Sequence, residues 1–368
     1  MRGRRALQAW LAPLLVSALA TCGGRGATVT PKLFSYKVVR ELVHSTSAFT
    51  EGLAFREWDG KLVESTGLSG GSKLMLYNID KEGISVEKEV NFPSRHFGEG
   101  IEFFDGKLYS LTWKNRRMHV FDRHTLELID GFHFDLGIYE GWGLTVAPDR
   151  SGLISGDGSE MLHRIDLNHG SPRISAHLAV RDCANDMPRV RGINELELIP
   201  RVVSHPEQVP MQHVNHPPAR FERLRANELY HNETGSNSTV ANVSPGEDPP
   251  LTTDLIWGNI ISTMCVAMIN PDSGDVEGWL LLDDIYDKVD TFNKVANGIA
   301  YRAIDGTLWV TGKDWEKLFQ IELVDHPDPS SIDIAKACRT RWHLGYSALR
   351  SPGNDRNDDR CGSTGNAH

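Results

Sequence analysis

Apolar and polar positions alternate along this chain in short runs, and the runs recur in the same order. Glu51-Gly52-Leu53-Ala54-Phe55 leads through the turn Asp59-Gly60 to Lys61-Leu62-Val63-Glu64-Ser65, then to Lys73-Leu74-Met75-Leu76-Tyr77-Asn78-Ile79-Asp80. Glu99-Gly100-Ile101-Glu102-Phe103 repeats the pattern through Asp105-Gly106 to Lys107–Trp113 and Met118–Asp122. Further copies open at Glu140-Gly141-Trp142-Gly143-Leu144, Ile193-Asn194-Glu195-Leu196-Glu197 and Asn297-Gly298-Ile299-Ala300-Tyr301. Period-two alternation broken by Asp-Gly and glycine-rich turns predicts strands joined as hairpins, and no helical period of comparable length competes. Each copy spans about 45–50 residues, the length of one four-stranded propeller blade.

A blade alone leaves apolar faces exposed, so neighbours must stack and the ring must close. The expectation is an all-β, five-bladed β-propeller over residues 35–324. The strand-like run Lys37–Val43 has no partner in the first copy and is expected to complete the last one. Residues 201–250, rich in Pro, His and Asn, read as a solvated, disordered insertion in blade four. Its three sequons, at Asn232, Asn237 and Asn242, make it a candidate glycosylated loop. His205, His213 and His216 share that insertion without any ligand spacing and read as solvated side chains.

Residues 1–20 read as a signal peptide: Arg2, Arg4 and Arg5, then an apolar stretch, then Ala18-Leu19-Ala20 as a small-residue cleavage site. The apolar stretch is too short for a comfortable bilayer span, so no stable membrane span is expected. A secreted or lumenal protein (ER, Golgi or vacuole) follows from this leader and the sequons. Leaving aside Cys22 next to the leader, the other four cysteines, Cys183, Cys265, Cys338 and Cys361, allow three pairings. A bridge from Cys338 to Cys361 would staple the polar tail, residues 325–368, which otherwise reads as disordered.

Charge narrows the partners. A net charge of −10 argues against binding a nucleic-acid backbone. No zinc-like Cys/His spacing is present, so no catalytic metal is expected; the sequence leaves a structural ion open. Nothing in it demands a second copy, and a monomer is expected.

Candidate chemistry gathers at the repeat openings. Innermost strands of successive blades converge on one channel, and their openings are polar: Glu51, Glu99, the Glu140-Gly141-Trp142 turn, Asn194 and Asn297. Side chains there can simply bond neighbouring backbone and lock the ring, which is the reading preferred for Glu195, Glu197 and Asn297. Two carboxylates at one end of a narrow pore cannot both ionise cheaply, so Glu51 and Glu99 should retain a proton between them near neutral pH, as a general acid requires.

Nine strings in chain order resemble the plant and bacterial type of glutaminyl-peptide cyclotransferase. They are Phe49-Thr50-Glu51-Gly52-Leu53, Glu64-Ser65-Thr66-Gly67-Leu68, Phe97-Gly98-Glu99-Gly100, Leu111-Thr112-Trp113-Lys114, Glu140–Thr145, Asn194-Glu195-Leu196-Glu197, Trp257-Gly258-Asn259, Asn297–Tyr301 and Thr311-Gly312-Lys313-Asp314-Trp315. The resemblance implies a five-bladed propeller that converts N-terminal glutamine of peptides and proteins to pyroglutamate with loss of ammonia, with N-terminal glutamate as a second candidate substrate. It implies no catalytic cofactor. By the same resemblance Glu99 is the proton shuttle, Lys313 and Asn194 bind the amide oxygen, and Phe49, Trp113, Trp142 and Trp257 wall the pocket. Glu51 stands where the family commonly carries Gln, so it is expected to alter the pKa of Glu99 or meet the substrate amine. A non-catalytic binding scaffold and a calcium-dependent lactonase-type propeller are the rival readings.

Overall fold

The computed structural model describes Cys22 and residues 29–45, 47–93, 95–133, 138, 140–167, 171–201, 254–289 and 295–340. A long first strand, β1 (Lys32–Val43), precedes a series of antiparallel meanders. Unit one holds β2–β5 (Thr50–Phe55, Leu62–Thr66, Lys73–Ile79, Ile84–Asn91). Unit two holds β6–β9 (Gly98–Phe104, Lys107–Thr112, Arg117–Asp122, Leu128–His133). Unit three holds β10–β13 (Leu144–Val146, Leu153–Gly156, Met161–Asp166, Arg173–Ala179). Unit four holds β14–β17 (Ile193–Pro200, Asp254–Ile260, Cys265–Ile269, Val276–Leu281). Unit five holds β18–β20 (Ala296–Arg302, Thr307–Gly312, Lys317–Asp325) and borrows β1 as its fourth strand. Units one to three are separate four-stranded sheets, while units four and five share one eight-stranded sheet.

β1 carries both closures. Its later part runs antiparallel to β20, with Lys37 opposite Glu322 and Val43 opposite Lys317, as the unmatched strand-like run predicted. Its first residues add a seam the sequence did not reveal: Lys32–Phe34 pairs in parallel with Gly278–Leu280 of β17. β1 therefore stitches unit five to unit four. The first strands of the units also touch in cyclic order, β2 to β6, β10, β14, β18 and back to β2.

Burial follows strand rank. Every residue of β2 is buried, whereas β5 exposes Ser85, Glu87 and Glu89. The core lies between adjacent units, as in Ala54, Val63 and Leu74 of unit one against Ile101, Leu108 and Phe121 of unit two. Inner strands approach so closely that two openings require glycine. A Cβ at Gly100 would lie 2.4 Å from the Leu144 amide nitrogen, and one at Gly143 would lie 2.0 Å from the Asn194 carbonyl oxygen.

Two disulfides correct the expected pairing. Cys22 joins Cys183 and Cys265 joins Cys338, each with Cα atoms 5.5 Å apart. The short helix α1 (Ile334–Cys338) explains the second, because it buries Ile334 and Cys338 in an apolar cluster of units two to four, beside Cys265. Cys338 is thus held by the body of the protein and has no bond left for Cys361. The expected disordered tail is likewise corrected for residues 325–340, which fold against the units. Cys361, the leader 1–20, the three sequons and nearly all of the insertion lie outside the described residues.

Candidate active site

The polar openings owe their orientation to register breaks. Pairing of β2 with β3 jumps between Thr50 and Gly52, isolating Glu51, and pairing of β6 with β7 jumps between Gly98 and Ile101, isolating Glu99. The same irregularity isolates Asn194 and Glu195 on β14, and Asn297 and Gly298 on β18. An extra residue in one strand turns a side chain out of the strict in-out alternation, which is why bulges recur beside functional sites.

Glu51, Glu99 and Lys313 are each at most 6% exposed, and they meet. The Lys313 ammonium donates to Glu51 Oε2, which also accepts from Asn297 Nδ2 at 3.1 Å. Asn297 donates to the Thr50 carbonyl as well, at 2.8 Å, so it serves both the lock and the carboxylate. Lys313 Nζ also lies 4.5 Å from the centre of the Phe49 ring.

The two carboxyls differ in their partners. Burial pushes Glu99 well above the usual carboxylate range, and the neighbouring charges of Glu51 and then Glu140 push it further against the pull of Lys313. Burial also raises Glu51, but Lys313 and Asn297 oppose it directly. Glu99 Oε2 is buried without a hydrogen-bond partner. The pair therefore places its proton on Glu99 and its negative charge on Glu51.

Aromatic rings cover this cluster. Phe49 meets Phe97 edge-on at 6.4 Å, and Phe97 meets Trp113 at 5.4 Å. Glu140 Oε2 accepts from both indoles of the wall, Trp113 Nε1 at 2.9 Å and Trp142 Nε1 at 3.2 Å. Phe49, Trp113 and Glu140 are half-buried while Trp142 is buried, so the rim is wet on one side and closed on the other. Such a rim suits a small polar head held in an apolar wall.

Other expected site residues fall elsewhere or stand less directly engaged. Asn194 is buried at the opening of β14, its carbonyl packed on Gly143 beside Trp142. Trp257 lies in the apolar interior with Phe34, Ile199, Val266 and Phe319, fully buried, and its place is that of a core residue rather than a wall of this rim. Glu140 and Phe97 were legible only as members of motif strings; their roles as indole clamp and rim depend on side-chain contacts. Asn259, whose Oδ1 accepts from the Gly298 amide at 3.2 Å and whose Nδ2 is buried without a partner, joins them.

Carboxylates farther along the inner strands, beginning with Glu195 next to the opening of β14, serve as clasps. Glu195 accepts from the amides of Leu53 and Ile299, Glu197 from Tyr301 and Glu102 from Val146, each bonding a different unit, in keeping with the locking role read for Glu195 and Glu197. A depression there is lined by Glu57, Glu102 and Glu197, far along the strands from Glu51 and Glu99. Among the described residues, no three His, Cys, Asp or Glu side chains are grouped with metal-ligand geometry, and no helix is long and apolar enough to cross a membrane.

The model of the family described as glutamine cyclotransferase matches residues 11–204 and 249–323. A glutaminyl-peptide cyclotransferase of Arabidopsis thaliana is 26% identical over 323 residues, covering 86% of this chain and 79% of that one. The crystal structure of Myxococcus xanthus glutaminyl cyclase superposes with a TM-score of 0.57 at 22% identity, covering 81% of this chain and all of the other, a likeness of fold.

Proposed function

The chain belongs to the glutamine cyclotransferase family, and from that membership we infer that it cyclises N-terminal glutamine of peptides and proteins to pyroglutamate, releasing ammonia. The five meanders with cyclically touching inner strands support reading the fold as a five-bladed propeller. The observation that carries the mechanism is the buried Glu99–Glu51–Lys313 cluster, in which one carboxyl keeps a proton beside a cation under an aromatic rim.

The substrate supplies its own nucleophile, so the protein needs no activated Ser or Cys. The neutral α-amine attacks the side-chain amide carbon, giving a tetrahedral adduct with a positive ring nitrogen and an oxyanion. Glu99 donates its proton to the departing nitrogen, which leaves as ammonia while the oxyanion re-forms its C=O. The resulting carboxylate takes the surplus proton from the ring nitrogen, restoring protonated Glu99. A lysine ammonium carries three donors, so its contact with Glu51 leaves others for the oxyanion, with Asn194 as the second ligand. Phe49, Trp113 and Trp142 exclude water from the step.

No cofactor takes part in this scheme, and a monomer suffices for it. Two disulfides support an oxidising compartment, hence a secreted or lumenal location. The test is incubation with a Gln-initiated peptide, followed by mass spectrometry for loss of one ammonia, with and without chelator. No cyclised product would overturn the assignment, and turnover that chelator abolishes would overturn the metal-free scheme.

A further inference from the structure

A second buried charge cluster lies directly behind Lys313, and the scheme above leaves it unused. Glu64 on β3 is fully enclosed. Its Oε1 accepts from Thr50 Oγ1 at 2.6 Å, and its Oε2 accepts from Tyr77 Oη at 2.7 Å and from His44 Nε2 at 3.1 Å. His44 Nδ1 lies 2.9 Å from the Trp315 carbonyl oxygen. A carbonyl can only accept, so Nδ1 carries a hydrogen. Nε2 faces a carboxylate already serving two hydroxyl donors, so it carries one too. His44 is therefore an imidazolium paired with a carboxylate, the two side chains 1% and 0% exposed.

The backbone that His44 and its neighbours bond leads to Lys313. The His44 amide bonds the Glu316 carbonyl at 2.7 Å, and the Ala48 carbonyl accepts from the Asp314 amide at 3.0 Å. Asp314 has φ +60, a left-handed conformation that a non-glycine residue holds only when its surroundings fix it. Thr50 Oγ1, besides its bond to Glu64, lies 3.3 Å from the Gly312 carbonyl. The turn 312–316 is thus tied at its middle and end to the segment leading into β2, while Thr50, whose one hydroxyl hydrogen goes to Glu64, packs against its start, and the turn aims Lys313 inward.

We propose that His44, Glu64 and Thr50 are positioning residues for Lys313: a buried ion pair and one hydroxyl hold the 312–316 turn so that its ammonium reaches Glu51 instead of solvent. The proposal rests on the reading of Lys313 as the oxyanion ligand. Its structural half, that the latch sets where the ammonium sits, stands without it. Charged and titratable groups around the pair are Tyr77 from β4, Glu316 and Asp314 from the turn, Glu51 and Lys313 across Thr50, and Glu89 beyond Tyr77.

Thr50→Val keeps the side-chain shape and removes only the hydroxyl; Thr50→Ser keeps the hydroxyl and serves as rescue. On a Gln-initiated peptide, Thr50→Val should lower kcat about tenfold with KM within about twofold, since small misplacements of a reacting group cost rate. Thr50→Ser should restore it. In a Lys313→Ala background the same change should cost less than about twofold, because a latch that acts through Lys313 has nothing left to position. Acylation of Lys313 by an amine reagent, followed by peptide mass spectrometry on the folded chain, should be several-fold faster in Thr50→Val, whether or not the protein turns over substrate. Equal kcat losses in both backgrounds, or unchanged Lys313 labelling, overturn the latch. Absent wild-type turnover with accelerated labelling overturns the cyclase reading and leaves the latch standing. Should Thr50→Val fail to fold, Tyr77→Phe, which removes one donor to Glu64, is read by the same criteria.

Discussion

Glu99→Gln separates chemistry from folding at one atom. The carboxyl is 5% exposed, sits against the negative Glu51, and leaves Oε2 without a partner. General acid–base catalysis by a placed side chain contributes about 10²–10⁴-fold, or about 3–5 kcal/mol of barrier. An amide can neither give nor take that proton, so turnover should fall by about that factor. Stability should move the other way. Because burial and Glu51 hold the folded Glu99 above the ordinary carboxylate range, the native state keeps a proton that the unfolded chain releases as pH rises. Stability therefore declines between the unfolded value and the folded one. Glutamine stays neutral throughout, and its NH₂ can donate to the neighbouring Glu51. The variant should melt no lower than the wild type at neutral pH, with a flatter pH dependence of its melting temperature. Single-turnover rates on a Gln-initiated peptide and calorimetric melts across pH measure both. A variant with more than a tenth of the wild-type rate, or one that loses activity and melting temperature together, would refute the shuttle.

Glu51→Gln removes the charge that helps raise Glu99, so the high-pH limb of the rate profile should move to lower pH; coincident profiles would strip Glu51 of any titration role. Lys313→Ala should lower kcat by about 10²–10³-fold, the cost of one oxyanion donor, with a smaller change in melting temperature, because the buried Glu51 can take a proton once its cation is gone. Burial, His96 and Arg117 depress His119 from 6.5 to about 4, with His96 Nδ1 2.9 Å from its Nε2. The neutral ring contributes stability that is whole above the unfolded value and lost as pH falls toward about 4, worth about 3 kcal/mol at about 1.4 kcal/mol per pH unit. Urea titrations of wild type and His119→Gln between those limits should diverge by that amount. Replacing Cys265 and Cys338 together by Ser opens a bridge spanning 73 residues and should cost about 4 kcal/mol, read as a lower denaturation midpoint.

Repeats made most of the fold legible. The Glu-Gly and Asn-Gly openings mark where inner strands touch, and Asp-Gly turns mark hairpins, so unit boundaries and the role of β1 as the last unit's closing strand could be read from residues alone. The parallel seam of Lys32–Phe34 with β17 could not, because nothing local distinguishes a strand that serves two sheets. Glu51 and Glu99 were legible as polar residues at unit openings, but that they escape the strand alternation follows from bulges, which are properties of pairing. Trp113 and Trp257 look alike in sequence, one just past a strand and one within it; only burial and side-chain contacts show the first at the rim and the second among apolar residues. The Cys338 pairing was misread because Cys338 lies in a polar stretch whose short helix buries it and Ile334 beside Cys265, 73 residues away in sequence. Glu64 was legible only as a member of a motif string and His44 not at all, since a buried ion pair 20 residues apart leaves no spacing signature.

β1 gives the protein an awkward birth. Among the described strands it is the earliest in the chain, yet its antiparallel partner lies about 280 residues later, where Lys37 meets Glu322. At roughly 5–20 residues per second the edge of β1 stays unpaired for roughly 15–60 s of synthesis. An open strand edge is a template for any other extended chain, so nascent copies emerging side by side are most prone to pair wrongly during that interval. A folding helper that shields the N-terminal strand until β20 arrives would raise yield far more than one acting on the finished ring.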